Sequence, residues 1–261
     1  MLIKNWLNAR RSLLRVPPIA LHPVNARSTW PSPGASSAEV RRIVDMAQRL
    51  KAAWRAGGTL RPLSGKNLAL LRTEAPTTET SELHRAGAEL GARISHVRLG
   101  DPLESGDPKL RDICQMLGRL YDAVDCGPIS SAVALEIERH AGIPVYHGLE
   151  SDEHPFRILA DLLCISERCP RGVAGNAISF LGNPRTPRGE DFVKAARLLG
   201  FDLRFVEFAR YAANDEAFTI DASDAEHWAF EAPSGPIEEA ERCENRHFVL
   251  QAMLLDAMTN R

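Results

Sequence analysis

The segment Gly65–Gly91 reads GKNLALLRTEAPTTETSELHRAGAELG, and the order of its patterns decides the fold. Asn67 to Leu71 is a short apolar run, the length of a strand buried on both faces. A helix is expected from about Thr78 to Leu90, with Gly91 as its stop. Strand followed at once by helix is the first half of a βα unit. The chain repeats this alternation on either side, with short connections. That pattern predicts an α/β fold with parallel sheets covered by helices on both faces.

Upstream, Ser36 and Glu39 have the spacing of a capping box, and Gly57-Gly58 closes the helix they open. Val40, Ile43, Val44, Ala47, Leu50 and Trp54 fall on one face of it. Downstream, Asp107-Pro108 opens a helix whose apolar face is Leu110, Ile113, Leu117 and Leu120. A strand over 121–126, a helix over 130–141 and a strand over 143–146 follow. A second set comes after Pro170: a strand over 177–181, a helix over 189–199 and a strand over 203–208. Between Arg210 and Glu241 the pattern weakens into acidic, Ala-rich sequence that supports no assignment. A helix over 245–258, carrying Phe248, Val249, Ala252, Met253 and Leu255, closes the chain.

With 261 residues, a net charge of -2 and 44% apolar residues, the chain has the balance of an ordinary globular protein of two domains or one large one. That charge gives no global attraction for nucleic acid. No apolar run approaches the roughly 18 residues of a membrane span. Five cysteines, an odd number without a CxxC pair, point to a reduced, cytoplasmic setting. The first 35 residues are basic, with no acid before Glu39. They read either as a targeting segment or as an extension that packs on a neighbour.

Four blocks stand out: Ala38 to Leu71 with VDMAQRLKAAWRAGGTLRPLSGKNLALL, Asp112 to Tyr146 with DICQMLGRLYDAVDCG and AGIPVY, Ser151 to Ile165 with SDEHPFRILADLLCI, and LGNPRTPRGEDFVKAARLLGFDLRFV together with the terminal NRHFVLQAM. Together they resemble ornithine carbamoyltransferases. The resemblance implies a basic extension (1–35), a carbamoyl-phosphate-binding-like domain (36–150) and an interdomain helix (151–168). A shortened amino-acid-binding-like domain (169–241) and a C-terminal helix returning to the first domain (242–261) complete it. It also implies a trimer, a reaction without cofactor or metal, and a site at the domain cleft.

The resemblance fails where the family holds its substrates. The family's S-T-R-T-R, whose amides and arginines hold carbamoyl phosphate, reads Pro76-Thr77-Thr78-Glu79-Thr80 here. The Y-R-G arginine falls at Gly127, the Gln of HPxQ at Arg157, and an ornithine-binding asparagine at Pro187. The S-M-G and H-C-L-P motifs have no counterpart. Each lost arginine–phosphate hydrogen bond is worth about 1.5–3 kcal/mol. A carboxylate at Glu79 facing a phosphate dianion at ~5 Å would add up to roughly 6 kcal/mol of repulsion.

What survives is His154, matching the family histidine that contacts the carbamoyl oxygen. Arg157 lies one turn on, and the hydroxyls of Thr77 and Thr78 remain. The expectation is therefore a carbamoyltransferase-like protein that does not make citrulline and serves as a binding or regulatory homologue. The alternative is a repurposed transferase with a small-anion site at Thr77, Thr78, His154 and Arg157; His-Pro opening a helix can equally serve capping alone. His140, His147 and His154, seven residues apart, do not share one face, so no metal site is expected.

Overall fold

A computed structural model describes residues 35–73, 81–99, 104–151, 154–169, 172–206 and 217–259. Residues 1–34 of the basic extension and both Thr77 and Thr78 lie outside them. The first unit runs α1 (Ser37–Arg55), β1 (Asn67–Arg72), α2 (Glu82–Glu89), β2 (Arg93–Arg98), α3 (Pro108–Leu120), β3 (Ala123–Asp125), α4 (Ser131–Ala141) and β4 (Val145–Tyr146). Its sheet is wholly parallel, in the order β2-β1-β3-β4.

Cover on both faces is visible residue by residue in β1. Leu68 and Leu70 join the core that contains α1, α2 and the last helix, while Ala69 and Leu71 pack with α3 and α4. Gly118 of α3 lies so close to α4 that a Cβ there would sit 2.0 Å from the Ala141 carbonyl oxygen. The α1 capping box forms as its spacing predicts. Ser36 Oγ accepts from the Glu39 amide at 3.3 Å and Glu39 accepts from the Ser36 amide at 2.8 Å. Trp54, expected on the buried face, is 59% exposed in the last turn of that helix.

Helix α5 (Phe156–Glu167) leads to a second sheet. That sheet contains β5 (Ala177–Gly182), β6 (Asp202–Val206), β7 (Phe218–Ala222), β8 (Ala229–Ala232) and β9 (Gly235–Pro236), with α6 (Pro187–Leu199) between β5 and β6. The order is β6-β5-β7-β8-β9. Here the expected parallel sheet is corrected: β8 and β9 run antiparallel, because short connections join β7, β8 and β9 without a crossover helix. The segment that supported no assignment thus contributes three short strands.

The final helix, α7 (Glu239–Thr259), packs on α1, α2 and α5. Buried Lys51 of α1 stitches this bundle together. Its ammonium donates to Asn245 Oδ1 at 2.6 Å and lies 2.9 Å from Glu167 and 3.2 Å from Glu244. Four of the five free cysteines are buried, and burial pushes the Cys164 thiol up to about 12, which fits packing rather than reactivity. Among the described residues no helix is long and apolar enough to cross a membrane.

Candidate functional site

In a parallel sheet the strand carboxyl ends and following helix N-termini form the usual ligand crevice. On this sheet they bring together Arg72 from the end of β1, Asp125 from the end of β3, His147 to Glu150 after β4, and the first turns of α2 and α5.

Asp125 is fully buried and acts as a knot. Its Oδ1 accepts from the amides of Gly148 and Leu149 at 3.1 and 3.0 Å, and its Oδ2 from Gly127 at 3.2 Å. Burial raises its pKa to about 6, against the pull of the Leu149 amide. Gly127 has φ +46°, and a Cβ there would sit 2.8 Å from Arg72 Nη1. Its lack of a side chain lets the guanidinium pass.

Arg72 reaches Glu150, Nη2 to Oε2 at 2.7 Å. The other oxygen of Glu150 accepts from the backbone amide of Leu83 at 3.2 Å. Leu83 is in the first turn of α2, so a carboxylate of the chain itself takes a first-turn amide and an arginine at once. Those are the two kinds of donor that bind an external oxyanion. The start of α2 also departs from expectation. Ser81, extended and accepting from the His84 amide at 3.3 Å, caps it, and the helix begins at Glu82 rather than Thr78. Ser81 followed by Glu82 sets the start about four residues later than expected. Beside it, His84 Nδ1 and His96 Nε2 are 3.0 Å apart with stacked rings. Burial first, then His84 and Arg72, lowers the His96 pKa.

His154 is 7% exposed. Its Nδ1 accepts from the Phe156 amide at 3.2 Å, which satisfies the capping role of a His-Pro pair. The opposite nitrogen, Nε2, is buried and has no hydrogen-bond partner among the described residues. Burial, reinforced by His147 and Arg157, lowers the ring pKa to about 4, so it is neutral near pH 7. A neutral ring accepting at Nδ1 carries its proton on Nε2, which offers one buried donor. Arg157 is near enough to His154 to act on its charge. His147 Nε2 lies 3.6 Å from Glu138 Oε2, and burial lowers the former's pKa and raises the latter's. Among the described residues no group of three or more potential ligands is arranged to hold a metal ion.

Of the residues expected from sequence, His154 and Arg157 come together and Thr77 and Thr78 fall outside the described residues. Sequence reasoning missed Arg72, Asp125 and Glu150. Their signal was position: each stands at or just after the carboxyl end of a parallel strand.

Comparison with known proteins places this geometry. The sequence model described as aspartate/ornithine carbamoyltransferase, carbamoyl-P binding domain, matches residues 33–167. The chain belongs to the aspartate/ornithine carbamoyltransferase family. Ornithine carbamoyltransferase of Actinobacillus pleuropneumoniae is 30% identical over 169 residues, which is 64% of this chain and 50% of that protein. The Haemophilus influenzae enzyme is 27% identical over 166 residues, with the same shares. The chain therefore spans about half the length of the curated relatives it matches.

Solved structures share the fold at low identity. Ornithine carbamoyltransferase from Burkholderia thailandensis superposes with a TM-score of 0.62 at 17% identity, covering 87% of this chain and 96% of that one. The catalytic subunit of M. jannaschii aspartate transcarbamoylase gives 0.61 at 14%, covering 87% and 97%.

Proposed function

We propose that this chain is a carbamoyltransferase homologue that does not form citrulline and works as a binding or regulatory protein. The observation that carries the reading is Glu150. A carbamoyl phosphate seated at the first turn of α2 would have to displace a carboxylate already held by Arg72 and the Leu83 amide. Repulsion between that carboxylate and a phosphate dianion at ~5 Å is roughly 6 kcal/mol at an effective dielectric near 20, an upper figure for a group partly open to water. Losing both S-T-R-T-R arginines removes the attraction that would oppose it. Purified protein given carbamoyl phosphate and ornithine is expected to yield no citrulline above a boiled control. Citrulline that disappears with His154→Ala would overturn the reading.

A second reading has one observation in its favour, the buried Nε2 of His154, which has no hydrogen-bond partner among the described residues and lies beside Arg157. It makes the chain a repurposed transferase whose small-anion site is built on α5. The domain division given above, a cytoplasmic location and a trimer formed through the first domain belong to the same proposal. Self-association is supported by apolar Met116 and Leu120 of α3 and Leu135 of α4, all exposed. Sedimentation velocity tests that part: a monomer at micromolar concentration contradicts it.

A further inference from the structure

At the opposite end of α2 from Glu150, the C-terminal ends of α1 and α2 and one side of α7 border a crevice of about 420 Å³. That volume is in the range that holds small organic ligands. Leu50, Trp54, Leu60 and Leu90 form its apolar walls, and Glu89 and Gln251 supply polar groups. Gly57, at φ +74°, turns the chain back at the end of α1, so that Leu60 can join the wall. Trp54 is the largest side chain here. Its ring centroid lies 5.9 Å from that of buried Phe248 on α7, yet the residue is mostly exposed. An indole fixed on one side and open on the other offers a π surface to whatever enters.

Glu89, the last residue of α2, sets the charge of the crevice. Its Oε2 accepts from Gln251 Nε2 at 2.9 Å and lies 2.7 Å from His247 Nε2. Its Oε1 has no hydrogen-bond partner among the described residues, and the side chain is 46% exposed. His247 Nδ1 is buried and likewise has no hydrogen-bond partner among the described residues, so a doubly protonated ring would strand an N–H there. The contact with His247 therefore leaves the carboxylate its charge. The carbonyl ends of α1 and α2 add negative potential at the same place. Of the nearby cations, Arg55 is held by Glu244 at 2.9 Å. Arg61 lines the crevice but is exposed and makes no ion pair among the described residues, Glu89 included. Tying α2 to α7 is the plainer role for Glu89, but that role occupies one oxygen and does not account for the open indole.

We propose that this crevice binds a small organic cation, a primary ammonium group on an aromatic or aliphatic body. Glu89 Oε1 accepts from the ammonium group, and Trp54 covers the ligand with its ring. The inference goes beyond the proposed function and does not rest on it, since the crevice and Glu150 lie at the two ends of α2.

Calorimetric titration of the full chain at low salt with phenethylamine, and with phenylpropionate as the matched anion, tests it. The amine is expected to bind saturably at millimolar concentration or below, and the carboxylate not at all. Glu89→Gln, which keeps an acceptor for Gln251, is expected to weaken amine binding about tenfold or more at unchanged circular dichroism. Trp54→Leu, at an exposed position, serves if the Glu89 variant does not fold and should weaken binding about fivefold. Glu150→Gln is expected to leave amine binding unchanged. The proposal is overturned by a wild type that does not bind the amine saturably, or that binds the carboxylate as tightly. Unchanged amine affinity in a folded Glu89→Gln or Trp54→Leu variant overturns it equally. Binding lost with Glu150→Gln and kept with Glu89→Gln would place the cation at Glu150 and also overturn it.

Discussion

Glu150→Gln is the perturbation with the clearest consequence. The glutamine keeps an oxygen that accepts from the Leu83 amide but removes the charge paired with Arg72 at 2.7 Å. The Glu150 side chain is 26% exposed and that of Arg72 18%, so the lost pair should cost stability only about 1 kcal/mol. The gain in anion affinity is larger. A unit charge and a dianion ~5 Å apart repel by roughly 6 kcal/mol at a dielectric near 20, and solvent at this partly open position brings that to about 3 kcal/mol. A factor of about 100 in affinity corresponds to that energy, before counting the attraction of the released Arg72. Calorimetric titration of wild type and variant with inorganic phosphate at low salt measures the ratio. A folded variant that binds phosphate no more tightly than wild type would refute the idea that Glu150 fills an anion seat.

Three other perturbations have definite outcomes. For His154, the folded-state pKa of about 4 lies below its ordinary 6.5, so the unfolded chain binds the proton first. The stability carried by the neutral ring is complete above pH 6.5 and is lost as pH falls toward 4, about 3 kcal/mol in all. His154→Asn, which keeps an acceptor for the Phe156 amide, should therefore gain on wild type across that window in urea unfolding. Asp125, raised to about 6 from 3.8, shifts both proteins the opposite way, which is why their difference is read. A constant difference between pH 6.5 and 4 refutes the account. Gly118→Ala should cost about 1–3 kcal/mol or more by forcing α3 off the Ala141 carbonyl, and an unchanged melting temperature would contradict that packing. Lys51→Ala should cost about 2–3 kcal/mol, below the 3–5 of a fully buried pair because Glu167 and Glu244 are 24% and 30% exposed. A loss under 1 kcal/mol in urea unfolding would show that the α1–α5–α7 tie is dispensable.

Most elements of the first unit were legible because they announce themselves locally. The Ser36–Glu39 box, the Asp107-Pro108 start and the unbroken apolar run of β1 require no tertiary information. The polar strand β2, RISHVR, was not legible: as an edge strand it is buried against only part of its surroundings, so its side chains need no apolar pattern. The β7–β9 hairpins were missed for a related reason, since strands of two to five residues give periodicity too little length to act on. Within the site, His154 and Arg157 could be read because one turn of helix separates them. Glu150 and Arg72 lie 78 residues apart and meet only through the parallel register of the sheet. Glu89 and Gln251 are likewise brought together by two different helices.

Titration of purified wild-type chain with carbamoyl phosphate, with inorganic phosphate in parallel, tests the central claim most directly. The account predicts no saturable heat from carbamoyl phosphate beyond that of phosphate itself at millimolar concentration. Micromolar binding of carbamoyl phosphate by the wild type would contradict it, because Glu150 would then have yielded its place.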